Sequence, residues 1–259
     1  MTTIKLPLVI DVSSYQQGME LSKLIPVPSV CIAKVSEGTG LYDKSCAGFL
    51  TQARAINIPF AFYHFYHNEQ NSGAQAKFFW SCVQQAGGVQ KGDRLVLDFE
   101  QNNNLLSAHA IVDFCYNVNL LSGIAWSDFI LSSTAGILNG MNPKAADIPY
   151  LKQLTVWSAG YPNDPDQFNS VPSIYTANSN YGSTLMWQYS ESAPGIGDAS
   201  WIDASYLAKW KSEYAVIPTP VPTPTPTPVP TPVPTIQTTT GTHWTLSSDG
   251  PTITITLEK

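Results

Sequence analysis

Between Pro218 and Pro234 every second residue is proline, in the run "PTPVPTPTPTPVPTPVP". Each proline fixes its own φ and removes a backbone donor, so this stretch can enter neither a helix nor the middle of a sheet. It reads as an extended polyproline-II spacer, rising roughly 3.1 Å per residue. The run therefore divides the chain into residues 1–216, a linker over 217–235, and a tail over 236–259. The first part is long enough for one large core. The tail alternates in "THWTLSS" and "TITITLEK" around "DGP", the pattern of a short β-hairpin. So few residues bury little surface alone, which leaves docking, oligomerisation or descent from a larger domain as its role.

Strand and helix signals alternate through the first part. "LPLVIDVSS", "SVCIAKVS", "IPFAFYHF", "RLVLDF" and "DFILSS" predict strands. "YDKSCAGFLTQARAIN", "NSGAQAKFFWSCVQQAG" and "AHAIVDFCYNVNLL" predict helices between them, the last capped by Ser107. Such alternation implies parallel strands joined by helical crossovers. Farther on, "LTVWSA", "TLMWQYS" and "ASWID" predict three more strands without long helices between them, and "SYLAKWKSEY" predicts a closing helix. Eight strands with helices concentrated early predict an α/β fold, an irregular closed barrel of the TIM type. In such barrels chemistry sits at the C-terminal strand ends.

Charge narrows the function. Charged residues are 12% of the chain, the formal net charge is -6, and there is no Lys/Arg cluster, which excludes a nucleic-acid footprint. No apolar run reaches the length of a membrane span. The N-terminal "MTTIKLPLVIDVSS" is interrupted by Pro7 and stops at Asp11, so it has no signal-peptide core. The expectation is synthesis in the cytoplasm. The four cysteines, Cys31, Cys46, Cys82 and Cys115, show no metal-ligand spacing and read as buried free thiols. No cofactor or metal is expected. His64 and His67 would face opposite sides of a strand, and "GIGDAS" precedes a strand where a dinucleotide fingerprint would precede a helix.

The acids carry the chemistry. "RLVLDFEQ" leaves an apolar strand with Asp98 and Glu100 two residues apart, on one face. Asp11 ends the first strand, Glu37 follows the second, and Asp203 ends the last. If all strands ran parallel, these acids would meet at one mouth. Tyr63, Tyr66, Trp157, Trp187 and Tyr189 lie near the same strand ends. Carboxyls ringed by aromatic faces suit a carbohydrate, whose C–H faces stack on rings while acids address its hydroxyls and glycosidic oxygen. Lys34 reads equally well as a cleft cation and as a solvated strand-end lysine.

The segments "IDVSSYQ", "AKVSEGTG", "FYHF", "LVLDFE", "VWSAGYP", "MWQYS" and "WIDASY", in this order over about residues 7 to 210, resemble the glycoside hydrolase family 25 lysozymes. The resemblance implies a (β/α)5β3 barrel and hydrolysis of the β-1,4 bond between N-acetylmuramic acid and N-acetylglucosamine in peptidoglycan. It carries the acidic residues of the family onto Asp11, Asp98, Glu100 and Asp203. Glu37, Tyr63, Tyr66, Trp157, Gln188 and Tyr189 are carried over as substrate-binding positions. Leu131 stands where the family usually has Tyr, and Ser158 follows Trp157 where an apolar residue is usual.

The resemblance implies a retaining glycosidase with Glu100 as general acid. Asp98 either orients the acetamido group for attack on the anomeric carbon or attacks it directly. A barrel that binds glycan without cutting it, and a chitinase, are the competing readings; the D-x-x-D-x-D-x-E run of chitinases is absent, since "GDRLVL" precedes Asp98. A cytoplasmic product with a wall substrate further implies a phage endolysin, released by a holin-type membrane-permeabilising partner, or a bacterial enzyme exported another way.

Overall fold

The computed structural model describes residues 5–101, 105–165 and 168–214, together with three strand segments at 237–239, 244–247 and 254–257. The proline linker and the "DGP" turn lie outside the described residues. The chain divides into two compact units, residues 1–215 and 216–259.

The first unit is built on eight strands: β1 (Leu8–Val12), β2 (Val30–Glu37), β3 (Phe60–Phe65), β4 (Arg94–Asp98), β5 (Phe129–Thr134), β6 (Thr155–Ala159), β7 (Thr184–Ala193) and β8 (Gly197–Ile202). Each pairs with its chain neighbour, and β8 pairs back onto β1, so the sheet closes into a barrel without a free edge. The pairings from β1 to β7 are parallel. β8 runs antiparallel to both β7 and β1. A two-residue strand, Leu41–Tyr42, returns against the end of β2.

Helices α1 (Cys46–Ala55), α2 (Ser72–Gln85) and α3 (Ala108–Ser122) form the early crossovers. The Asn71 side chain accepts from the Ala74 N–H and caps α2. Ser107 precedes α3 as expected, yet its side chain makes no capping bond. Two short helices absent from the sequence reading, α4 (Ala135–Gly140) and α5 (Ile148–Leu151), lie between β5 and β6. The β6–β7 connection contains a 3-10 turn at Ser173–Tyr175 and no α-helix among the described residues, and β7 and β8 form a hairpin. The loss of late helices thus follows the expected (β/α)5β3 plan.

The two-residue period of the strands sorts the core into two layers. Val9, Val30, Ile32, Ala61, Val96, Ile130, Trp157, Met186 and Ile202 point inward and fill the barrel. Leu8, Ile10, Cys31, Phe60, Phe62, Leu95, Leu97, Leu131 and Trp187 point outward into the layer beneath the helices. Helix α6 (Ala204–Glu213) closes the lower end, with Tyr206, Leu207 and Trp210 packed against the interior layer. The Trp210 indole N–H donates to the Gly92 carbonyl at 2.7 Å. Gly92 has φ +86°, and a Cβ there would come within 2.5 Å of the Tyr214 backbone, so the close approach of α6 requires glycine. All four cysteines are buried and unpaired.

In the second unit, β10 (Trp244–Ser247) and β11 (Thr254–Leu257) pair antiparallel, matching the two alternating segments of the tail. A third strand, β9 (Gln237–Thr239), adds parallel to β11.

Candidate active site

Above the interior layer the inward positions turn polar. Asp11 follows Val9, Lys34 follows Ile32, Tyr63 follows Ala61, Asp98 follows Val96, and Ser132 follows Ile130, each two residues on. Together with Glu100, Trp157, Gln188 and Asp198 they line a cavity of about 290 Å³ at the barrel mouth. Loop residues Tyr15, Gln16 and Tyr161, with Glu191, complete its rim.

Asp11 and Asp198 are register partners across the β1–β8 pairing, and their carboxyls hydrogen-bond. Burial, then the charge of Asp198, hold Asp11 well above the usual carboxylate range. Where the pair shares one proton, Asp11 is the member that holds it and donates to Asp198. The Gln188 Nε2 donates to Asp11 Oδ2 at 3.1 Å, and its Oε1 accepts from the Tyr161 hydroxyl at 2.7 Å. Gly160, next to Tyr161, makes room for the Tyr175 ring, which stacks on Trp187: a Cβ there would lie 2.3 Å from that ring.

Asp98 is also held well above its ordinary range, by burial and then by the charges of Glu100 and Asp11, against an opposing pull from Lys34. Its Oδ1 is buried and has no hydrogen-bond partner among the described residues. Glu100 is raised by burial and then by Asp198. Among the described residues its carboxyl makes no hydrogen bond or ion pair. A carboxyl that keeps a proton and faces a cavity can donate that proton to a bound molecule.

Lys34 points inward from β2 with its ammonium 2.5 Å from Glu37 Oε2 and 5.0 Å from the Phe65 ring centre. Burial alone raises the Glu37 carboxyl, but hydrogen bonds from Lys34 and His67 outweigh it and hold it below its ordinary value. Glu37 thus lies behind Lys34 and outside the cavity lining, where it orients that cation.

The structure separates the other expected residues. Asp11, Asp98 and Glu100 come together at the mouth, with Tyr63, Trp157 and Gln188. Asp203 does not. Because β8 runs antiparallel, its C-terminal end lies at the bottom of the barrel, where the Asp203 N–H donates to the Leu185 carbonyl at the start of β7. The Asp203 side chain caps α6, accepting from the backbone of Ser205 and Tyr206. Bonds from Ser205 and Tyr206 hold its carboxyl below the ordinary range. Asp198, at the other end of the same strand, occupies the place expected for it. The clue was the short interval between "MWQYS" and "ASWID": a parallel return needs a crossover of about a dozen residues or more, so so short a gap requires a hairpin.

Tyr66 and Tyr189 also lie away from the cavity. The Tyr66 ring packs on Phe99 and Phe114, and its hydroxyl is 2.6 Å from the Ser72 hydroxyl. Tyr189, like Trp187, is on the outward face of β7 and belongs to the layer beneath the helices. His64 is buried, hydrogen-bonded to the side chains of Ser36 and Gln75, and pushed down to about 3 by burial. Leu131 faces the same outer layer, so the departure there changes packing outside the barrel and leaves the cavity wall to Ser132.

The model of the family "Glycosyl hydrolases family 25" matches residues 10–197. The fold is similar to a bacterial lysozyme from Streptomyces coelicolor, with 22% identity, a TM-score of 0.62, and coverage of 80% of this chain and 98% of that one. It is similar to a muramidase from Acremonium alcalophilum, with 22% identity, a TM-score of 0.60, and coverage of 79% and 98%. The catalytic domain of endolysin ply40 from bacteriophage P40 of Listeria monocytogenes gives 20% identity, a TM-score of 0.58, and coverage of 81% and 98%. No curated protein sequence matches significantly.

Proposed function

The chain belongs to glycosyl hydrolase family 25, and from that premise we propose that it is a retaining muramidase in which Glu100 protonates the leaving oxygen. It cuts the β-1,4 bond between N-acetylmuramic acid and N-acetylglucosamine. The observation that carries the assignment is Glu100, without a hydrogen-bond partner among the described residues, facing a cavity shared with Asp11, Asp98 and Asp198. Burial, then the negative charge of Asp198, both favour the acid form of Glu100.

Asp98 acts on the acetamido group of the muramic sugar. Its buried, unpartnered Oδ1 is suited to accept the acetamido N–H. The acetamido carbonyl oxygen then attacks the anomeric carbon as Glu100 gives its proton to the departing oxygen. Water, deprotonated by Glu100, opens the resulting ring with net retention. A direct attack by Asp98 is the second version and also retains configuration. Asp198 accepts from Asp11 and adds negative charge beside Glu100. Gln188 fixes the orientation of Asp11. We assign the expected role of Asp203 to Asp198.

Mass analysis of digested peptidoglycan after borohydride reduction tests the bond. The reading predicts N-acetylmuramitol at the new ends; N-acetylglucosaminitol or released peptide would contradict it. Proton NMR of fresh product should show the β anomer first, and an initial α anomer would reject both versions of retention. We propose that a holin-type partner gives the chain access to peptidoglycan outside the membrane; cell lysis that depends on such a partner tests this.

A further inference from the structure

The cavity at the mouth is strongly acidic. Asp11, Asp98, Glu100, Glu191 and Asp198 line it against one cation, Lys34, which Glu37 already neutralises. An anionic branch of a polymer lying in the cleft finds no free cation on that floor. Beyond one wall the character changes. Ser13, Tyr15 and Gln16 line the cleft, while Ser14 and Gln17 of the same turn line a second cavity of about 370 Å³. That cavity shares Gln17, Lys44 and Ser45 with a third, of about 230 Å³, which runs on beside Gly48. The two make one furrow along the far side of the turn.

The wall between cleft and furrow is held in place. The Ser13 N–H donates to Gln16 Oε1 at 2.9 Å, and the Ser14 N–H donates to Asp43 Oδ2 at 2.8 Å. The other oxygen of Asp43 accepts from the N–H and hydroxyl of Ser45, at 2.9 and 2.6 Å. The Asp43 carboxylate is thereby satisfied inside the floor, and its side chain is buried. On top of the wall stands Tyr15, 93% exposed. Leu41 and Tyr42 give the furrow an apolar side.

The cations of the mouth differ in one respect. Lys34, in the cleft, is held by Glu37 at 2.5 Å. Lys44, in the furrow, forms no ion pair among the described residues. It is the cation of the furrow and is open to an anion from outside.

We propose that the furrow receives the peptide stem of the substrate, with Lys44 paired to a stem carboxylate. This rests on the muramidase reading. A muramic sugar in the cleft carries its lactyl-linked peptide as a side branch, and a branch leaving over Tyr15 enters the furrow. The backbone amides of the peptide meet Gln17 and Ser45, and its aliphatic side chains meet Leu41 and Tyr42.

The test uses soluble peptide-bearing glycan strands and the same strands after carbodiimide conversion of their carboxylates to carboxamides. Lys44→Glu should raise KM roughly five-fold on the native strands, as expected for an exposed pair. Its kcat, and its KM on the amidated strands, should match wild type. Lys44→Arg should behave as wild type, and added salt should shrink the Lys44→Glu defect. An equal defect on both substrates, or none on the native strands, would overturn the furrow while leaving the muramidase reading intact. Failure of the wild-type chain to cut either strand would overturn both.

Discussion

The two ends of the barrel use the same residue types to opposite effect. At the bottom, acids have partners. Asp93 pairs with Arg54 at 2.5 Å, Arg94 bridges Asp128 at 2.8 Å and Glu213, and Asp203 caps α6. At the mouth, Asp11, Asp98, Glu100 and Asp198 share one cavity with a single, already paired lysine, and all four are held above the usual carboxylate range. The lower end spends its charges on closing the barrel around α6. The upper end leaves its carboxyls without a free cation, so burial and mutual charge raise them together, whereas at the bottom burial raises Asp93 against the opposing pull of Arg54. β8 joins the two: Asp198 at one end is raised, foremost by burial, and Asp203 just past the other is lowered by its capping bonds.

The contrast can be broken first at Glu100. Glu100→Gln should lower kcat on cell walls by about 10³-fold, the scale of a general acid, with unchanged far-UV dichroism. Wild-type-like turnover would remove Glu100 from the mechanism. The next test uses the two ends of β8. Asp198→Asn should lower kcat about 30-fold and leave the melting temperature near wild type, as expected for a group that tunes an acid–base pair. Asp203→Ala should leave kcat alone and lower stability by about 1 kcal/mol, as for a lost helix cap. The reverse pattern would exchange the roles of the two residues.

The smallest effect concerns pH and stability. Because the folded-state pKa of Glu100 is raised, the folded chain holds its proton more tightly than the unfolded chain. Stability contributed by that proton is present below the ordinary glutamate value of about 4.3 and is lost as pH rises through the raised folded value. Glu100→Gln should therefore melt above wild type at pH 7, with the gap closing toward pH 4. A gap that widened on acidification would reverse the sign and contradict an uncompensated site.

Much of this was legible in the residues because periodicity and spacing are local. The apolar runs and helix patterns gave the barrel plan, and the i, i+2 relation of Asp98 and Glu100 put both carboxyls on the inner face. Strand direction is not local in that sense. Reading "ASWID" as one more parallel strand sent Asp203 to the mouth, although the short gap after "MWQYS" demanded a hairpin. Tyr66 and Tyr189 were misplaced for a related reason: proximity to a strand end does not say which face a side chain takes, and each lies one residue off an inward position. The pairing of Asp11 with Asp198 depends on register between strands far apart in the chain. Composition carries no trace of that.

The central claim is that Glu100 keeps a proton because buried acids surround it. Carbon-13 NMR titration of the side-chain carboxyls, with Glu100→Gln identifying the resonance, measures this directly. A Glu100 signal titrating clearly above the ordinary glutamate range, and shifting downward in Asp198→Asn, is the predicted result. Titration at or below that range, indifferent to Asp198, would contradict it.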